Sequence, residues 1–183
     1  YSADNPVGPH AIRDLRGATN GPLDRGLLIT TSRFTKEAER NARENSIIID
    51  TINGTQLADR MRLLGYCINE KLLVFKEYRS AIISLSQEEL EKFKFKKGDT
   101  EGVVNYALAI EGIVFAVFIT EKEGLIKMSF RSKGNFKANK IAKKYFNGGG
   151  HLNAAGGTSD YDLEETIIKL EQIFKTYKKE LLI

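Results

Sequence analysis

Short apolar runs alternate with helix-forming stretches along this chain, and this alternation restricts its fold more than any other feature. In the first third of the chain, the runs RGLLITT and SIIID have the length and composition of buried strands. TKEAERNAREN lies between them, and its Thr35 is suited to begin a helix. Helical patterns also precede the first run (PHAIRDLRGAT) and follow the second, as NGTQLADRMRLLG ended by Gly65. Strands separated by helices pair in parallel, so we predict an αβαβα segment.

The pattern starts again at Tyr78 with a different order of elements. RSAIISL predicts a strand, and SQEELEKF a helix that Ser86 and Glu89 begin with capping-box spacing. GDTEGVVNYALA predicts a further helix. GIVFAVFIT and GLIKMSFRS predict two strands joined by the short turn EKEG. A basic helix in NFKANKIAKKYF and one long closing helix in DLEETIIKLEQIFKTYKKELL complete the segment. The predicted fold class is α/β, with a mixed sheet in this C-terminal segment.

The use of basic residues changes where the two patterns meet. Residues 1–66 contain eight arginines and one lysine, whereas residues 67–183 contain two arginines and seventeen lysines. Arginine and lysine replace each other on much of a protein surface, so different origins of the two segments would explain the change. We predict two domains, residues 1–61 and 62–183.

One glycine-rich stretch, NGGGHLNAAGGTSD at residues 147–160, is the strongest candidate for a binding site. Consecutive glycines let a backbone turn several N–H groups toward one anion. We therefore predict a concave phosphate-binding loop at Gly148, Gly149 and Gly150, with His151 as a hydrogen-bond donor at its edge. The alternative interpretation is a glycine that only ends the preceding helix. Small residues behind the loop would allow close packing: Ala154, Ala155, Gly156 and Gly157.

The charges around this stretch favour an anion. No Asp or Glu occurs between Gly124 and Ser159, where seven basic residues lie. A run of lysines alone is often a solvated face. Arg131, at the end of a predicted strand, can hold a phosphate with two hydrogen bonds, although a surface ion pair is the alternative. Ser129 and Ser132 are weaker candidates, and Asn153 could orient His151 or cap the next turn.

The sequence GGGHLNAAG resembles the GGGHxxAAG signature of the substrate-binding domain that follows the catalytic domain in DHH-family phosphoesterases. Residues 62–183 are similar in particular to the branch of nanoRNases and phosphatases of adenosine 3′,5′-bisphosphate (pAp). The resemblance implies that His151 and the glycines contact the substrate phosphate and that Arg131 binds the nucleotide. It also implies short RNA, pAp or other nucleotides, and a DHH catalytic domain, as partners.

In that family manganese is held by aspartates and an Asp-His-His motif of the preceding domain. The two histidines of this chain, His10 and His151, do not adjoin an aspartate. We therefore predict no metal ligand, no catalytic residue and no cofactor bound by this chain, with Mn²⁺ expected only when a complete DHH catalytic domain is present. His10 is interpreted as a surface or helix-start residue.

The first segment resembles the C-terminal part of an Mrr-type restriction endonuclease domain, in NPVGPHAIRDLRGAT, RGLLITTSRFTKEA and IDTINGTQLADRM. That family uses an Asp and a Gln- or Glu-x-Lys strand to hold metal, and neither Gln-x-Lys nor Glu-x-Lys occurs in the sequence. We expect residues 1–61 to keep the scaffold without the catalytic motif, with DNA as an alternative partner.

Three functions follow as hypotheses, and the remaining alternative is that the two segments are scaffolds without a competent site. The first is a nucleic-acid or nucleotide-binding module that holds the phosphate end of short oligoribonucleotides or pAp. The alternatives are part of a Mn²⁺-dependent oligoribonuclease and pAp phosphatase, and a fragment of an Mrr-type DNA endonuclease. The apolar runs are far shorter than the roughly 20 residues that span a bilayer, and Cys67 has no cysteine partner, so we expect a cytoplasmic protein that binds no membrane.

Overall fold

The computed structural model describes residues 5–18, 25–44 and 49–183. The chain divides into two compact units, Tyr1–Met61 and Arg62–Ile183. Each has its own buried apolar core. None of the helices in the described residues combines the length and apolar character needed to cross a bilayer.

The first unit has the predicted αβαβα order. It consists of α1 (Pro9–Ala18), β1 (Gly26–Ile29), α2 (Lys36–Arg43), β2 (Ile49–Ile52) and the start of α3 (Gly54–Asn69). β1 and β2 pair in parallel, with Leu27 opposite Asp50. Thr35 begins α2 as predicted, because its side chain accepts a hydrogen bond from the Ala38 N–H. Residues 45–48, which include the start of the predicted second strand, lie outside the described residues.

Helix α3 does not end at Gly65, as the sequence predicted, but continues to Asn69. Gly65 has an ordinary helical neighbourhood, with nothing near the position of a Cβ. Leu63 and Cys67 lie four residues apart on one helix face and are both buried in a core of the second unit. Burial of this face therefore extends the helix past the glycine.

The second unit is a six-stranded mixed sheet with helices on both faces, in agreement with the predicted fold class. The strand order is β3-β4-β5-β6-β8-β7, with β4 and β5 parallel and the other neighbouring pairs antiparallel. Its elements are β3 (Leu72–Phe75), a short 3₁₀ turn (Lys76–Tyr78), β4 (Ser80–Leu85), α4 (Gln87–Lys92), α5 (Val103–Ala109), β5 (Phe115–Lys122), β6 (Leu125–Ser132), α6 (Ala138–Tyr145), β7 (Gly149–His151), β8 (Ala154–Ser159), α7 (Leu163–Thr176) and α8 (Lys178–Leu181).

The two faces of this sheet are covered differently. One face packs along its length against α6, α7 and α8, around Phe115, Phe130 and Phe174. The other face packs against the end of α3, α4 and α5, through residues of β4 and β5 such as Ile83 and Phe118. The second set of helices covers β4 and β5, and α5 also contacts β6. Ser129 and Arg131 of β6 are half-buried on this face, and the residues of β8 and β7 there are half-buried or exposed.

Three details differ from the sequence interpretation or sharpen it. Strand β3 was not predicted, because it is short and its Leu73 and Val74 are both exposed. The closing helix is divided at Tyr177, which leaves the helical conformation (φ −97°, ψ 13°). The turn between β5 and β6 consists of Glu123 and Gly124, both with positive φ (54° and 72°), as a two-residue hairpin turn of type I′ requires.

A polar cluster fixes the start of α4. Ser86 and Glu89 form the predicted capping box. The Glu89 carboxylate also accepts a hydrogen bond from the Tyr66 hydroxyl at 2.5 Å and pairs with Lys71 at 2.9 Å. Burial would raise the pKa of Glu89, but the hydrogen bonds from Tyr66, Ser86 and Lys71 hold it below its ordinary value. The same hydrogen bond raises the pKa of Tyr66 to about 12.

Candidate nucleotide-binding face

The accessible part of the sheet brings the predicted arginine and histidine into one row. Arg131 on β6 lies opposite Ala154 on β8, which in turn lies opposite His151 on β7. Residues directly opposite each other point to the same face of a sheet. Arg131 and His151 are thus two strands apart on one face, with an alanine methyl group between them.

Two further rows extend this surface along the strands. Ser129 lies opposite Gly156, which lies opposite Gly149, and Lys127 lies opposite Thr158. All are exposed or half-buried. We call this surface the open face; it comprises Lys127, Ser129, Arg131, Gly149, His151, Ala154, Gly156 and Thr158.

The cations of the open face are not neutralised by described residues. Arg131 donates one hydrogen bond, from Nη1 to the Phe130 carbonyl at 2.9 Å, and forms no ion pair in the described part of the chain. Neither Lys127 nor His151 has a side-chain partner there. A half-buried guanidinium without a carboxylate is a strong donor for an anion.

The glycines of the motif fall into two groups. A Cβ on Gly148 would lie 2.1 Å from the Gly156 carbonyl oxygen, and one on Gly157 would lie 2.5 Å from that of Phe146. Gly150 has φ +143° and equally little room. These three glycines are needed for the packing of the chain on itself. Gly149 and Gly156 have no such neighbour, since the nearest atom to a Cβ on Gly156 is 3.6 Å away and Gly149 has none within 4 Å.

The predicted concave loop is wrong. Gly149 and Gly150 lie with His151 in strand β7, and the Gly148 N–H donates to the Ala142 carbonyl at 3.2 Å. The alternative, a glycine that ends α6, is also wrong, because Asn147 takes the left-handed position there (φ 44°). The close approach of β7, β8 and the end of α6 explains the glycines better than either interpretation.

Three predicted site residues point away from the open face. Ser132 is buried on the other face, where its hydroxyl donates to the Phe136 carbonyl at 2.6 Å. Ala155 is buried in the core on that same face. Asn153 does not contact His151; its amide donates to the carbonyls of Ser132 and Gly134 at 3.3 and 3.1 Å and holds the turn between β7 and β8.

Lys127 and Thr158 belong to the open face, although neither was predicted as a site residue from the sequence. The signal was present, because residues 127, 129 and 131 alternate along a predicted strand and must share a face. Thr158 had no such signal, since β8 was not predicted as a strand.

The described residues do not fit a metal site. Nowhere in residues 5–18, 25–44 and 49–183 do three His, Cys, Asp or Glu side chains come together as a metal would need. His10 lies on α1, exposed, with its Nδ1 3.0 Å from Arg13.

Comparison with known proteins agrees with the two sequence resemblances. Residues 77–180 match the DHHA1 domain model. This chain belongs to the DHHA1 domain family. Residues 1–61 match a restriction endonuclease family model. The DHHA1 domain match includes β4 to β8 and so the whole open face.

Characterised relatives share this part of the chain. A bifunctional oligoribonuclease and PAP phosphatase NrnA from Thermus thermophilus is 37% identical over 45% of this chain and 24% of its own length. The protein of that name from Bacillus subtilis is 34% identical over 56% of this chain and 33% of its length. An exopolyphosphatase-related protein from Bacteroides fragilis, known from a crystal structure, is 46% identical to this chain in sequence. The two structures superpose with a TM-score of 0.65 over 67% of this chain and 36% of that one. The chain thus spans a quarter to a third of these two curated relatives.

Proposed function

We propose that the open face binds the terminal phosphate and nucleotide of a short RNA or of pAp, and that this DHHA1 domain is the substrate-binding part of a DHH-family phosphoesterase. The observation that carries the proposal is the row Arg131–Ala154–His151, in which two hydrogen-bond donors flank a small residue on an accessible sheet. In the proposed complex Arg131 holds the phosphate with two hydrogen bonds and His151 donates a third.

The charge and shape of the open face support an anionic ligand. Lys127 lies on the same strand face as Arg131, and no acidic residue occurs from Leu125 to Thr158. Gly149 and Gly156 leave the centre of the face without side chains, so a ligand can approach the backbone. The names of the relatives supply the ligand class, short RNA and pAp, that such a surface would accept.

Cleavage is assigned to the complete phosphoesterase and not to this chain. The two-metal chemistry of such enzymes needs a ligand cluster that the described residues do not form. In this proposal manganese enters with a DHH catalytic domain, and the DHHA1 domain positions the phosphate for it.

Titration of the chain with a fluorescent three-nucleotide RNA at low salt tests the proposal. We expect Arg131→Ala to weaken binding at least tenfold, because a hydrogen bond to a charged group contributes about 1.5–3 kcal/mol. His151→Ala should weaken it by a smaller factor. Arg131→Lys keeps the charge but not the two-pronged geometry, so it should restore part of the affinity.

Lys143→Ala is the matched control, because Lys143 is an exposed lysine on α6, which packs against the opposite face. Equal losses in Lys143→Ala and Arg131→Ala would indicate attraction to net charge alone and would contradict the proposed site. Addition of Mn²⁺ to the same samples tests the enzymatic alternative, which requires release of mononucleotides by this chain. Unlabelled duplex DNA as competitor tests the endonuclease alternative.

A further inference from the structure

A cleft of about 330 Å³ lies at the end of the sheet where β4 and β5 begin and β6 ends. Its lining includes Arg79, Val114, Lys133, Asn135 and Glu180. Arg79 directly precedes β4, and Lys133 directly follows β6. The cleft is of the size that small-molecule sites usually have.

Arg79 is held rigidly at this cleft. Its backbone is left-handed (φ 47°), a conformation that is uncommon for a residue other than glycine. The N–H groups of Val114 and Phe115 both donate to its carbonyl, at 2.7 and 3.2 Å, and its Nε donates to the Gly112 carbonyl at 3.0 Å. The two terminal nitrogens of the guanidinium have no partner among the described residues. A cation fixed in this way binds an anion with little loss of conformational freedom.

The charges of the cleft favour an anion. Lys133 is exposed and its ammonium has no partner in the described part of the chain. Glu180 is the acid of the lining, and it pairs with Lys140 at 3.6 Å. Two unpaired cations therefore remain, Arg79 and Lys133.

The cleft adjoins the end of the open face at Lys133, whereas Phe136 and Glu180, from the side that α6 and α8 cover, form its other wall. Lys133 and Arg131 are two residues apart on one chain segment, so their side chains leave the same side of the sheet about 7 Å apart. The Lys133 N–H donates to the Val114 carbonyl at 2.8 Å, which keeps the segment in sheet register past the end of β6. A nucleotide whose phosphate contacts Arg131 can therefore present its next anionic group to Lys133 and Arg79.

We infer that Arg79 and Lys133 bind the second phosphate group of the nucleotide substrate, the one beyond the phosphate at Arg131. This inference rests on the proposed function of the open face. It predicts that the chain distinguishes ligands by the number of their phosphates. A ligand with two phosphates, such as pAp, should bind both at Arg131 and at Arg79 and Lys133, whereas 5′-AMP should occupy one of these two phosphate positions.

Calorimetric titration of the full chain with pAp and with 5′-AMP tests the inference. We expect the wild-type chain to bind pAp more tightly than AMP, and the ratio of the two affinities to fall about tenfold in Arg79→Gln/Lys133→Gln. The matched control is Lys96→Gln/Lys97→Gln, which removes the same charge from exposed residues between α4 and α5. Lys133→Gln alone leaves the Arg79–Gly112 hydrogen bond in place and should lower the ratio even if the double variant folds poorly.

An unchanged ratio in Lys133→Gln and the double variant, or an equal fall in the control, overturns the inference. If the proposed function is wrong, the result differs: Arg131→Ala then leaves the affinity for pAp unchanged. If the Arg79 and Lys133 variants alone lost pAp binding in that case, the inference would be overturned as well, because it places their phosphate beyond a first one at Arg131. If the chain bound neither pAp nor AMP, the inference and the proposed function would both be overturned.

Discussion

At the scale of single residues, the glycines of the motif have two different tasks. Gly148, Gly150 and Gly157 allow backbone segments to approach more closely than a Cβ permits. Gly149 and Gly156 instead leave room above the open face that none of the described residues fills. Substitution by alanine should therefore affect folding at the first group and ligand binding at the second.

Gly157→Ala and Gly156→Ala form a matched pair of neighbours that tests this division. We expect Gly157→Ala to destabilise the chain by about 1–3 kcal/mol, since its Cβ would overlap the Phe146 carbonyl. Gly156→Ala should leave the unfolding midpoint nearly unchanged and weaken RNA binding. Urea unfolding and RNA titration of both variants measure the two effects. Loss of stability in Gly156→Ala, with affinity retained, would contradict the assignment.

Residue types alone identified two members of the open face. Arg131 and His151 were identified from their chemistry, and the structure brings them into one row. Ser132 and Ala155 were included because they adjoin other candidates, yet neighbours along a strand point to opposite faces. Predicting β8 would have required recognising a strand in AAGGTS, whose alanines and glycines have low strand propensity. Pairing with β6 and β7 forms this strand, and the local sequence does not show that pairing.

At the scale of elements, the start of α4 is fixed by one carboxylate. Glu89 accepts hydrogen bonds from Ser86 of its own capping box and from Tyr66 of α3, and it pairs with Lys71. The capping box was predicted from the spacing of Ser86 and Glu89. The contacts to Tyr66 and Lys71 were not, because they join residues far apart in sequence.

Glu89→Gln should make the stability of the chain less dependent on pH below neutrality. The pKa of Glu89 is lowered in the folded state, so its stabilisation is present above the unfolded value of about 4.3 and is lost as the pH falls through the folded value. We expect the variant to lose about 1–2 kcal/mol at pH 7 and to show a smaller further loss between pH 5 and 3 than the wild type. Urea unfolding at pH 7, 5 and 3 measures this.

Glu88→Gln is the control, since Glu88 is an exposed neighbour in the first turn of the same helix. Parallel pH profiles for the two variants would show that the cluster around Glu89 does not stabilise the fold.

At the scale of the whole molecule, the second unit contains everything the proposed site needs. Both of its cores and all six strands of its sheet are formed by residues after Met61. Its match to the DHHA1 domain lies entirely within it. The alternation of apolar runs and the change from arginine to lysine predicted two segments from sequence. The extent of α3 was not predicted, because the burial of Leu63 and Cys67 depends on tertiary packing.

A fragment of residues 54–183, which keeps α3 whole, should fold cooperatively and bind RNA as the full chain does. Circular dichroism during urea unfolding and titration with the three-nucleotide RNA check both parts of the prediction. If the fragment folds but binds the RNA more weakly than the full chain does, residues 1–53 contribute to binding and the prediction is wrong.

The short edge strand β7 also bears on self-association. Open sheet edges present unpaired backbone groups on which another chain can add a strand, and proteins usually block them with charge, proline or bulges. β7 offers three residues, two of them glycines, at its edge of the sheet. Such a strand is too short and has too low a β-propensity to be a good template for intermolecular pairing. The edge at β7 therefore offers little to an added strand, and its Gly150 carbonyl already accepts a hydrogen bond from the Asn139 amide of α6 at 3.3 Å.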